Sequence, residues 1–160
     1  MSERIRVVLV DDQQLVRAGL AMVVDSQPDM IVAGQAGSGE EAVELVGRLR
    51  CDVVLMDVRM HGVDGLEATR RILAAADAAA ADPPRVVMLT TYDLDEYLLE
   101  AIRAGASGFL LKNAPPADLL AAVRTVYTGD AVIAPSATRR LLARVATGTD
   151  AIPPAADDPR

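Results

Sequence analysis

The sequence predicts an α/β fold, a doubly wound parallel sheet flanked by helices, on three observations. Continuous apolar runs without period-2 alternation recur along the chain, the pattern of strands covered on both faces. Segments of helical periodicity with their own start signals separate those runs. Strand and helix therefore alternate, and parallel strands joined through helices need right-handed crossovers that pack helices against the sheet.

Each element has its own reason. Ile5 to Val10, Val53 to Met56 and Val86 to Leu89 are strong apolar runs, and Met30 to Ala36 and Gly108 to Leu111 are weaker ones, giving five strands. Ser38 to Glu41, Asp64 to Glu67 and Asp93 to Glu96 each set an N-cap residue three positions before a glutamate, a spacing that starts a helix. The helix from Asp93 carries Leu94, Tyr97, Leu98 and Ala101 on one face and stops at Gly105. The next begins near Pro115 or Pro116, buries Leu119, Val123 and Val126, and stops at Gly129, making five helices. The alanine-rich stretch from Ala74 to Pro84 prolongs the third helix until Pro83 forces a stop. Behind Pro135, Ala137, Leu141 and Val145 recur at helical spacing with Arg139, Arg140 and Arg144 outside, and the closing residues are rich in Pro, Ala and Asp. The expected organisation is an α/β domain over 1–128, a linker helix over 129–147 and a disordered tail or linker over 148–160.

With 160 residues, 51% of them hydrophobic, the chain has room for one domain with a sizeable core. A net charge of −7 and a pI near 4.6 disfavour a nucleic-acid or anionic-membrane surface, because neutralising phosphates takes clustered Lys and Arg. Cys51 is the single cysteine, cannot form an internal disulfide, and reads as the start of a strand. The opening apolar run is too short for a signal sequence or a membrane span, so the expected compartment is the cytoplasm.

In open parallel sheets the ligand crevice lies beyond the carboxyl ends of the strands. Here the first strand ends at Asp11 and Asp12, the third at Asp57, the fourth at Thr90 and Thr91 and the fifth at Lys112, while the second ends at Ala36 and Gly37. A strand order of 2-1-3-4-5 sets the bland second strand at the edge and gathers the other four ends around one pocket. Singly, Asp11 or Asp12 reads as a helix cap, Thr90 as a β-former and Lys112 as a rim charge. Together, carboxylates 4 Å apart repel by about 4 kcal/mol per pair at an effective dielectric near 20. Such a cluster needs a cation, and a hard ion with oxygen ligands that keeps waters for a phosphate describes Mg²⁺. With Lys112 and the Thr90 hydroxyl converging on it, Asp57 is the candidate nucleophile toward a phosphoryl group.

Four segments in order, "VVLVDD" (7–12), "DVVLMDVRMHGVDGLEATR" (52–70), "VVMLTTYDLDEY" (86–97) and "AGASGFLLKNAPP" (104–116), resemble the receiver domain of bacterial two-component response regulators. The resemblance covers about residues 4–128 and is closest to the NarL/LuxR-type transcriptional regulators. It implies the flavodoxin-like order of the five strands, and that Asp57 accepts phosphate from a sensor histidine kinase. Asp12 would ligate Mg²⁺ directly together with Asp57 and the backbone carbonyl of Arg59, with Asp11 holding it through water. Lys112 would bind the phosphoryl group, and Thr90 with Phe109 would form the switch. The chain would be no enzyme beyond its own Mg²⁺-dependent phosphorylation and dephosphorylation. It would dimerise when phosphorylated, and would reach DNA only through a helix-turn-helix output domain after the linker, "PSATRRLLARVA". No such domain follows in the sequence, so the expectation is a chain cut between domains.

Arg59, two residues after the acceptor, and Tyr92, two after Thr90, are placed to exclude the water that would hydrolyse the acyl phosphate. Two positions depart from the family: His61 stands where proline is common, and Asn113 where aspartate is frequent. As the only histidine, His61 cannot build a His-rich metal site and reads as an exposed loop residue. A haloacid-dehalogenase-like phosphohydrolase would need a second acid where Arg59 stands. A flavodoxin-like cofactor carrier would need a phosphate-cradling loop where "DDQQ" repels phosphate. A receiver that works unphosphorylated, as a dimerisation or ligand-binding module, stays open as the alternative.

Overall fold

A computed structural model of the chain describes residues 3–91 and 94–133. The elements run β1 (Ile5–Val10), α1 (Gln14–Asp25), β2 (Met30–Ala36), α2 (Gly39–Arg48), β3 (Val53–Asp57), α3 (Gly65–Ala78), β4 (Arg85–Thr90), α4 (Leu94–Ala104), β5 (Gly108–Leu111), α5 (Pro116–Tyr127) and β6 (Val132–Ile133). The sheet order is β2-β1-β3-β4-β5-β6, and every pairing is parallel. The expected five-stranded 2-1-3-4-5 sheet with five helices is present.

Burial follows the apolar runs. Val53 to Asp57 is buried throughout, as is Val86 to Thr90, because helices cover both faces of these central strands. β2 is a sheet edge, pairs only with β1, and leaves Ile31 to Gly34 half-buried. That position accounts for its weaker run. Helix starts at Ser38 and Asp64 are as expected: Ser38 Oγ accepts from the Glu41 N–H at 3.1 Å and Asp64 Oδ1 from the Glu67 N–H at 2.9 Å. The cap expected at Asp93 lies outside the described residues.

Two expectations are corrected. The linker helix does not begin at 129: Gly129 takes φ +102°, the chain turns, and Val132–Ile133 pairs with Gly108 and Phe109 as a sixth strand. The exposed edge of β5 supplies the unpaired backbone groups that draw it in. The helix expected from Pro135 and the tail over 148–160 lie outside the described residues. The third helix ends at Ala78, short of Pro83. Ala80 adopts the left-handed region at φ 53°, and the N–H groups of Ala80 and Ala81 bond to the carbonyls of Asp77 and Ala76. This is a Schellman stop made with alanine instead of glycine.

The register aligns the carboxyl ends. Val10 lies opposite Met56, Asp57 opposite Leu89, and Thr90 opposite Leu111, so the residues at or just past those ends share one rim. Among the described residues no helix is long and apolar enough to cross a membrane.

Candidate functional site

Asp57 closes β3 with 5% of its surface exposed. Its Oδ1 accepts from the Arg59 backbone N–H at 3.3 Å, and its Oδ2 from Lys112 Nζ at 3.4 Å. Lys112 follows β5 and is anchored by its own backbone N–H, which donates to the Thr90 carbonyl at 2.6 Å. The rigid sheet thus carries both the carboxylate and the ammonium that meets it.

Asp11 follows β1 and is 1% exposed. Its Oδ1 accepts from the Gln13 N–H at 2.8 Å. Its Oδ2 lies 2.8 Å from Lys112 Nζ, a close ion pair. Neither aspartate is the N-cap residue of α1: Gln13 holds that position and its own side chain makes no cap bond, while Asp11 reaches only the Gln13 N–H just before the helix. The capping alternative for Asp11 and Asp12 is thereby removed, and Asp12 faces solvent. One carboxylate oxygen from each of Asp11, Asp12 and Asp57 lies within 4.8 Å of the others.

Asp12, Gln13, Asp57, Arg59, Thr90, Thr91 and Lys112 line an open pocket of about 250 Å³. The Thr90 hydroxyl on its wall is buried and has no hydrogen-bond partner among the described residues, an uncommon cost for a buried polar group. Burial pushes the Asp57 carboxyl up to about 6; the charge of Asp11 adds to the rise, and Lys112 and the Arg59 N–H offset part of it. Burial opposes the Lys112 ammonium too, but Asp11 and Asp57 outweigh it and hold its pKa above the usual value. The pocket therefore carries more negative charge than Lys112 alone satisfies. The all-oxygen donor set of Asp11, Asp12 and Asp57 suits a hard divalent cation, and the unpartnered Thr90 hydroxyl is free to donate to an anion's oxygen.

The sequence-derived residues Asp11, Asp12, Asp57, Thr90 and Lys112 are brought together here. Arg59 stands on the pocket wall with its side chain largely exposed. Phe109 is buried in the sheet beside Met88, away from the pocket lining. Tyr92 lies outside the described residues. His61 is fully exposed, as expected, but its Nδ1 comes within 3.6 Å of Asp12 Oδ2, a proximity set by the β3–α3 loop. Gln13 and Gly65 were not singled out from the sequence. A Cβ at Gly65 would lie 2.1 Å from the Asp57 carbonyl oxygen, and the glycine after Asp64 at the helix start was the available signal.

The response regulator receiver domain family matches residues 7–124. The chain is 43% identical over 130 residues to the uncharacterized transcriptional regulatory protein YxjL of Bacillus subtilis (strain 168), covering 81% of this chain and 57% of that protein. It is 37% identical over 150 residues to the transcriptional regulatory protein LiaR of the same organism, covering 93% and 69%. Among solved structures, a two-component response regulator of the LuxR family from Aurantimonas sp. SI85-9A1 superposes with a TM-score of 0.78 at 31% identity, over 86% of this chain and 94% of that one. The chain spans little more than half the length of YxjL.

Proposed function

The chain belongs to the response regulator receiver domain family, and from that premise we propose that it accepts a phosphoryl group on Asp57 from a sensor histidine kinase. The bond forms between an Asp57 carboxylate oxygen and phosphorus as the phosphorus–nitrogen bond to the kinase histidine breaks. The observation that carries this reading is the convergence of the Lys112 ammonium and the unpartnered Thr90 hydroxyl on a buried strand-end carboxylate. Lys112 is within reach of Asp57 and is placed to hold phosphoryl oxygens by charge. The Thr90 hydroxyl gains a partner once such an oxygen enters the pocket.

Asp12, Asp57 and the Arg59 backbone carbonyl would hold Mg²⁺ directly, with Asp11 acting through water. An ion held there would supply positive charge against the phosphoryl oxygens and would relieve the repulsion among the carboxylates. The chemistry is confined to the chain's own carboxylate, so the protein is a switch and not an enzyme with an external product. Thr90 and Phe109 couple the phosphorylated pocket to the surface. The switched surface promotes homodimerisation and governs a helix-turn-helix transcriptional output, in the cytoplasm. Arg59 and Tyr92 shield the acyl phosphate from in-line water.

The test is incubation with a small phosphodonor, or with beryllofluoride, in Mg²⁺. Wild type is expected to gain one acid-labile phosphate and to change oligomeric state, and Asp57→Asn to do neither. Incorporation that survives Asp57→Asn would move the acceptor elsewhere. No incorporation and no response to beryllofluoride in wild type would favour the unphosphorylated module.

A further inference from the structure

We propose that Arg17 is a positioning residue for the turn that carries Asp12, clamping the backbone on both sides of that carboxylate so that it stands in place before a cation arrives. The proposal rests on the reading of Asp12 as a Mg²⁺ ligand and names what holds the ligand.

Asp12 has little hold of its own. It stands between the buried Asp11 and the start of α1, faces solvent, and among the described residues its carboxylate pairs only with the fully exposed His61. The residues on either side of it are tied to one partner. The Arg17 backbone N–H donates to the Gln13 carbonyl at 3.1 Å, and the Arg17 guanidinium, through Nη1, donates to the Asp11 carbonyl. Asp11 is fixed from the sheet side as well, where its N–H donates to the Ala36 carbonyl at 3.1 Å. Asp12 therefore sits in a short bridge whose two flanking carbonyls are both held by Arg17.

The arginine is committed to this contact. It is half-buried, its Nε is buried without a hydrogen-bond partner, and it forms no ion pair with a carboxylate among the described residues. A donor left in that condition costs free energy, so a surface charge that merely needed solvent would not take this position. The guanidinium lies against Gly37, where a Cβ would come within 3.3 Å of Nη1. The end of β2, which brings no side chain to the pocket, thus gives the clamp its seat. Charge-assisted bonds to main-chain oxygen are among the stronger hydrogen bonds. One placed here opposes the repulsion that would drive an exposed Asp12 away from Asp11 and Asp57, and a ligand already in place spares the ion the cost of ordering it.

Arg17→Met keeps the apolar stem and removes the donor. Calorimetry should show the Mg²⁺ Kd raised by about tenfold, as expected for loss of one hydrogen bond to a charged group. Phosphorylation from a small phosphodonor should slow at limiting Mg²⁺ and return to within about twofold of wild type at saturation, since Asp57, Lys112 and Thr90 are untouched. The ¹⁵N order parameters of the Asp12 and Gln13 amides should fall while those of α2 and α3 hold. A merely structural arginine would lower the urea midpoint and leave these readings unchanged, which would overturn the proposal. Tighter Mg²⁺ binding would overturn it too, because an arginine acting by charge alone competes with the ion. Arg17→Gln, whose amide is too short to reach the Asp11 carbonyl, carries the same measurements should Arg17→Met not fold. If Mg²⁺ failed to bind wild type, the metal reading would fall, and the order parameters would still decide the clamp.

Discussion

Gly65→Ala measures how tightly the first turn of α3 holds the acceptor end of β3. A Cβ there would sit 2.1 Å from the Asp57 carbonyl oxygen and 3.0 Å from Met56 Cγ. Ordinary carbon–oxygen contacts begin near about 3.3 Å, so the two must part by roughly 1.2 Å. Neither side can yield alone. The Gly65 N–H donates to the Val58 carbonyl at 2.9 Å, and the Val58 N–H to the Leu89 carbonyl at 3.0 Å, which locks the loop to β4 just past Asp57. Helix propensity favours alanine by at most about 1 kcal/mol, whereas overpacking costs about 1–3 kcal/mol. The expected sum is a destabilisation of up to about 2 kcal/mol. An acceptor displaced by about 1 Å should lose about a hundredfold in phosphorylation rate. Gly19→Ala is the control: Gly19 is exposed in α1 and a Cβ there meets nothing within 4 Å, so it should stabilise by up to about 1 kcal/mol at an unchanged rate. Urea unfolding and the initial rate with a small phosphodonor and Mg²⁺ report both quantities. If Gly65→Ala gains stability as Gly19→Ala does and phosphorylates at the wild-type rate, the packing argument is wrong.

Asp57→Asn should stabilise the Mg²⁺-free protein at neutral pH. The carboxyl rises from 3.8 to about 6 on folding, so its ionisation opposes folding by up to about 3 kcal/mol. That opposition is absent below pH 3.8, grows as pH rises through 6 and is full above. The mutant's advantage in urea melts should shrink toward acid pH and with saturating Mg²⁺, and an advantage independent of pH contradicts it. Asp12→Ala should weaken Mg²⁺ binding far more than Lys112→Ala, since removing a like charge cannot cost the ion a ligand; calorimetric affinities insensitive to Asp12 would defeat the carboxylate-cluster argument. Ala80→Gly should stabilise by about 0.5–1 kcal/mol by relieving the left-handed strain, and a lowered urea midpoint counts against it. Arg59→Ala/Tyr92→Ala should speed decay of the phosphorylated protein at unchanged Mg²⁺ affinity, and decay rates equal to wild type would sink the shielding idea.

The sequence by itself determined the five-stranded sheet and the strand-end rim that gathers Asp11, Asp12, Asp57, Thr90 and Lys112. Strands such as Val53 to Asp57, buried on both faces, must be apolar throughout, and a carboxylate at the end of such a run stands out in one dimension. Capping boxes at Ser38 and Asp64 are equally local, since donor and acceptor lie three residues apart. Only the tertiary structure decided the rest, because those features depend on residues far apart in sequence. The open edge of β5 drew Val132–Ile133 into a strand, where the sequence reading starts a linker helix at 129. A left-handed Ala80 ended α3 before Pro83, a backbone choice that alanine's own preference opposes. The Lys112 ammonium meeting Asp11 and Asp57 depends on four adjacent strands holding one register, and the loop after β3 set His61 beside Asp12. Neither of those contacts has a periodicity to read, because each joins elements whose spacing is set by the packed sheet.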